Sequence, residues 1–94
     1  VAFECDGNFP VTAIYGRGPE GEEDVVLVIM GQSRRLQQTE AASGVRYQGI
    51  PGLQADEGIV WWEKGEEAIL MTFPWESENP MQDATPVRTC KVRG

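Results

Sequence analysis

Short runs of β-branched and aromatic residues, interrupted every few positions by Gly, Pro, Asp or Asn, set the rhythm of this chain. No stretch repeats apolar residues at i, i+3, i+4 and i+7 over a helix length, so the pattern is one of strands and turns. Eight strands are predicted: Val1–Cys5, Phe9–Tyr15, Asp24–Ile29, Ser33–Gln38, Gly44–Gln48, Ile59–Glu63, Glu67–Phe73 and Thr85–Val92. Turn-forming clusters separate them at Asp6-Gly7-Asn8, Gly16 through Glu23, Met30-Gly31-Gln32 and Lys64-Gly65-Glu66. Two longer stretches, Gln48 through Gly58 and Pro74 through Pro86, carry stiffening prolines and read as surface excursions or as walls around a binding face. The run Val25-Val26-Leu27-Val28-Ile29 is apolar on both faces and reads as a strand covered on both sides or as a buried helical turn; its β-branched residues favour the strand.

Eight short antiparallel strands in 94 residues must hide their edges. Closing the sheet into a small barrel does so, at a diameter that side chains just fill, and a two-sheet sandwich is the alternative. The expectation is an all-β fold in one domain spanning residues 1–94. A domain of this size hides roughly 60–70% of the surface of its extended chain, a thin core that gains from a covalent link. Cys5 and Cys90 are the only cysteines and stand near the two ends of the chain. With no histidine present and no metal-ligand spacing, a disulfide between the first and last strands is expected, which implies an oxidising compartment; two unpaired buried thiols are the alternative.

Fifteen acidic and eight basic residues give a net charge of −7. Nucleic acid and anionic membrane surfaces are therefore poor partners, and a cationic protein is a better one, although an acidic surface also serves solubility. The longest apolar run, Val25 to Met30, is far shorter than the ~18 residues that span a bilayer, and no targeting segment opens the chain at Val1.

Candidate chemistry sits at two strand ends. Ser43 precedes Gly44, where its hydroxyl can donate and accept a hydrogen bond at a rim, and Tyr47 follows on the face shared with Val45, as a core residue or as a contact beside Ser43. Lys64 precedes Gly65, which can take a positive φ and lift the lysine to a hairpin tip. Exposed among Glu63, Glu66 and Glu67, Lys64 carries its charge and suits the role of counter-ion to carboxylates. A serine–lysine dyad would need that lysine desolvated and neutral, so catalysis is not expected. Of the adjacent Trp61 and Trp62, one must face the core and the other outward, and the apolar run 59–62 does not say which. Trp75, in the proline-bounded stretch, is a further aromatic available for binding or for covering a barrel end.

Ser43-Gly44-x-x-Tyr47 followed by Trp61-Trp62-x-Lys64-Gly65-x-x-Ala68-x-Leu70, between terminal cysteines, resembles the signature of the bacterial C-type lysozyme inhibitors, both membrane-bound and periplasmic. The early Phe3-Glu4-Cys5-Asp6-Gly7 and the closing Thr89-Cys90-Lys91 fit the same pattern. The chain departs from it at Trp61, where the family often has phenylalanine, and in its longer Pro51–Gly58 and Pro74–Pro86 stretches.

The resemblance implies an eight-stranded antiparallel barrel tied by Cys5–Cys90, with Ser43, Gly44, Tyr47, Lys64 and Gly65 as the lysozyme-binding residues. It implies inhibition of a C-type lysozyme by plugging its cleft, with no cofactor, metal, catalytic residue, small-molecule substrate or nucleic acid involved. Periplasm, outer membrane or cell surface of a Gram-negative bacterium is the implied location, with a lipid anchor upstream of the chain as one option and monomer or homodimer both open. The competing reading is an adhesin or envelope structural protein on the same barrel, because a fold does not fix its target. A small-ligand carrier is a weaker competitor, since so small a barrel leaves little room for a cavity.

Overall fold

A computed structural model describes residues 1–49 and 56–93. The strands are β1 (Ala2–Cys5), β2 (Phe9–Arg17), β3 (Glu23–Ile29), β4 (Gln32–Thr39), β5 (Val45–Gly49), β6 (Glu57–Lys64), β7 (Glu67–Pro74) and β8 (Thr85–Val92), with one helical turn, α1 (Pro80–Asp83), before β8. They pair antiparallel in sequence order, and β8 returns to β1, so the sheet closes into an up-and-down barrel with no free edge. Each predicted strand is present, its ends displaced by at most two residues. The sandwich alternative is set aside by the β1–β8 pairing, in which Cys5 stands opposite Cys90 and is disulfide-bonded to it.

The interior is filled by alternate residues of each strand. Trp61, Leu27, Leu36, Ile59 and Leu70 are all fully buried, and Phe3 meets Trp61 edge-on with ring centroids 5.0 Å apart. β3 resolves as a strand whose Val25, Leu27 and Ile29 point inward while Val26 and Val28 remain half-buried on the outside.

Two features depart from a simple alternation. On the outer face, Val60, Met71 and Phe73 form a second small core, with Trp62, Ile69 and Ala84 packed against it. The apolar run 59–62 thus serves both faces of β6. Gly58 makes room for the Phe73 ring, which occupies the space a β-carbon would take. The other departure is α1, which falls inside the stretch 74–86 expected to be plain loop. Pro80 starts it, and the Asn79 carbonyl accepts from the Gln82 and Asp83 amides. One turn is too short to show a helical period in the sequence. Of the other long stretch, Gln48 through Gly58, residues 50–55 lie outside the described residues.

Strand direction sorts the connections. Turns 6–8 and 30–31 and the segment 75–84 lie at one end of the barrel. Segments 18–22 and 40–44, the β6–β7 turn 65–66 and the starts of β1 and ends of β8 lie at the other.

Candidate functional site

The Ser43 segment and the Lys64 hairpin meet at one end of the barrel because β5 begins where its neighbour β6 stops. Val45 stands opposite Glu63, which sets Gly44 beside the last residues of β6. Gly44 has φ +68°, and a β-carbon there would overlap the Glu63 carbonyl oxygen and lie 3.1 Å from Lys64 Cγ and 3.2 Å from Trp62 Nε1. Only glycine permits this approach. Trp62 completes the junction by donating from Nε1 to the Ser43 carbonyl at 2.7 Å.

Lys64 pairs with Glu67 across a two-residue turn, and Gly65, at φ +65°, supplies the positive φ that such a hairpin needs. The lysine is exposed and forms no ion pair among the described residues. Its Nζ rests 4.0 Å from the centroid of the Trp62 ring. A cation–π contact at an exposed site is worth only about 0.5–1 kcal/mol, so it holds the side chain lightly and leaves it able to exchange the indole for a carboxylate. Ser43 is exposed as well.

Glu63, next to Lys64 in the chain, points to the other face of β6. Its carboxylate accepts from Trp61 Nε1 at 2.7 Å and from the Tyr15 hydroxyl inside the barrel mouth. Burial, and then the hydrogen bond and charge of Glu63, push the Tyr15 phenol above its usual range. Tyr47 is only 5% exposed, sits in the core cluster with its ring 6.4 Å from that of Tyr15, and is raised by burial too. Of the two places open to Tyr47, the structure gives it the core, under the Ser43 segment.

The pair of tryptophans is resolved in the same way. Trp61 faces Tyr47 across the sheet and is fully buried, while Trp62 faces Arg46 and is half-buried outside. Trp62 with Lys64, Glu67, Ile69 and Thr89 lines a groove of ≈ 140 Å³ beside the hairpin. Around this end Glu20, Glu23, Glu40, Glu66 and Glu67 are exposed, together with Arg17, Lys64, Lys91 and Arg93. Trp75 is exposed and belongs to the segment at the opposite end.

Sequence reasoning left Trp62 as one of two candidates and missed the inward turn of Glu63. The signal for Glu63 was its parity with Trp61, two residues before it on the same face. No group of three or more His, Cys, Asp or Glu side chains able to hold a metal occurs among the described residues.

Neither a comparison with curated proteins nor one with solved structures found a match. The family model described as membrane-bound lysozyme-inhibitor of c-type lysozyme matches residues 3–79, which contain both the Ser43 and the Lys64 segments. On that match, over most of its length, the chain belongs to the family of membrane-bound lysozyme inhibitors of c-type lysozyme.

Proposed function

We propose that this chain inhibits a C-type lysozyme by placing the Lys64 hairpin tip and the Ser43 segment in the enzyme's substrate cleft. The observation that carries the reading is the junction of these two segments at one barrel end, fastened through Gly44 and Trp62, with Lys64 exposed and unpaired among the described residues. Glycoside cleavage by such an enzyme depends on two carboxyl groups flanking the scissile bond. In this reading the Lys64 ammonium pairs with them, the Ser43 hydroxyl hydrogen-bonds within the same cleft, and sugar is excluded. Gly44 and Gly65 give the two segments their shape, and Tyr47 supports the Ser43 segment from the core.

The net charge of −7 adds to encounter with a basic enzyme, an effect that weakens as salt shortens the screening length to about 8 Å at physiological strength. The disulfide and the family together favour the periplasm, outer membrane or cell surface of a Gram-negative bacterium, with a lipid anchor upstream of the chain as one route to the membrane.

Titrating the protein against the lytic activity of a C-type lysozyme, with a goose-type enzyme as control, tests the reading. The parent inhibits the C-type enzyme. Truncating one partner of a buried interfacial charge pair costs roughly 2–5 kcal/mol, so Lys64→Ala weakens inhibition about 30- to 4,000-fold, and Ser43→Ala weakens it less, by about one neutral hydrogen bond. A Lys64→Ala variant as potent as the parent would falsify the plug.

A further inference from the structure

Arg46 lies on the outer face of β5, between Thr39 of β4 and Trp62 of β6, and is 4% exposed. Its Nε and Nη2 atoms are covered and have no hydrogen-bond partner among the described residues. The guanidinium makes no ion pair there either; its one contact of note is with the Trp62 ring, 5.7 Å from its centroid. Burial lowers its proton affinity. The contrast with Arg35 is direct, since that side chain reaches Asp24 and donates to its carboxylate from Nε at 2.8 Å.

Covering an unpaired charge works against folding, and an aliphatic side chain at position 46 would suit the sheet better. The cost falls beside the site, on the indole that also carries Lys64 and holds Ser43. Lys64 Nζ is 4.0 Å and the Arg46 guanidinium 5.7 Å from the same ring centroid, so the two cationic heads are no further apart than those distances together. Retaining glycosidases hold their two carboxyl groups about 5–5.5 Å apart, which lies within that bound.

We infer that Arg46 is a second cation of the docking face, kept covered in the free protein and turned outward on binding to meet a cleft carboxyl group of the lysozyme. This rests on the inhibitory reading above and extends it from one charge contact to two. The planar guanidinium takes a carboxylate through two parallel hydrogen bonds, which satisfies the Nε and Nη2 donors that the free protein leaves unmet. Trp62 is the pivot common to both cations.

The test compares lysozyme binding and unfolding for the parent, Arg46→Met, Arg46→Lys and Lys64→Ala. Arg46→Met unfolds at the same or a higher temperature than the parent, yet binds at least tenfold more weakly and with a shallower dependence on salt; Arg46→Lys recovers part of the loss. Against lysozymes in which the cleft carboxyls are changed to amides one at a time, the Arg46→Met penalty disappears for one of the two. An Arg46→Met protein that binds like the parent while Lys64→Ala does not overturns this inference alone. Loss of binding in step with a lower unfolding temperature overturns it as well, by making Arg46 a structural residue. A parent that fails to bind any C-type lysozyme overturns the inhibitory reading and this inference with it.

Discussion

Gly44 and the Glu63 carbonyl approach so closely that no side chain fits between them. Through that contact a loop and a hairpin tip separated by twenty residues of chain become one surface. Gly44→Ala forces φ +68° on a residue with a β-carbon, which costs about 1–2 kcal/mol, and drives that carbon into backbone. Urea unfolding should register at least this loss, and inhibition should weaken more than tenfold because the Ser43 segment has to leave the Trp62 indole. Parent-like values in both measurements would reject the close approach as the device that joins the two segments.

The disulfide closes the barrel seam across 85 positions of chain. In the chain-entropy model a loop of that length is worth about 4.6 kcal/mol, an upper figure because the unfolded chain retains structure. Changing both cysteines to serine, or adding reductant, is expected to lower the unfolding free energy by several kcal/mol, out of about 5–15 for a typical domain. A change below about 1 kcal/mol would show that pairing of β1 with β8 holds the seam unaided.

Tyr15 makes stability fall in strong base. Its pKa in the folded chain is raised above the 10.0 usual for a tyrosine, first by burial and then by Glu63. A raised pKa means that the folded state holds the proton more tightly, so the contribution is complete below pH 10 and is lost as pH climbs from there toward the folded value. Chemical denaturation between pH 9 and 11 should show a decline that is shallower in Tyr15→Phe, with Tyr47 responsible for part of what remains. Identical slopes for the two proteins would remove Glu63 and burial as the cause.

At the opposite end, Met30 and Gly31 form a two-residue hairpin turn with φ of +52° and +78°. Both positive angles are the pattern of a type I′ turn, in which asparagine followed by glycine is preferred and methionine is strained. Met30→Asn should raise stability by about 0.5–1 kcal/mol without altering inhibition, because the turn is remote from Lys64. The side chain is 81% exposed, so nothing is lost from the core. A drop in stability would mean that the methionine packs usefully in place.

Much of the barrel was legible in the sequence because its signals are local. Alternation in Val11–Ala13, β-branched content in Val25–Ile29 and glycines at 7, 31 and 65 place strands and turns without knowledge of their partners. The end-to-end cysteines pointed to the seam for the same reason, as first and last strands of a closed sheet must meet. The one-turn α1 was hidden by its brevity, and the outer cluster of Val60, Met71 and Phe73 by an apolar run that satisfies both faces of β6 at once.

What the sequence determined by itself was the set of strands, their order and the two segments that carry Ser43 and Lys64. Tertiary structure alone decided that Trp61 enters the core and Trp62 stays outside beside Ser43 and Lys64, that Glu63 turns to Tyr15, and that Arg46 is covered with its Nε and Nη2 unpartnered among the described residues. The reason is physical: alternation along a strand tells which residues share a face, whereas the neighbours on that face are set by the register between strands. In this barrel that register places Arg46 against Trp62 and Tyr47 against Trp61, residues separated by more than a dozen positions in the chain.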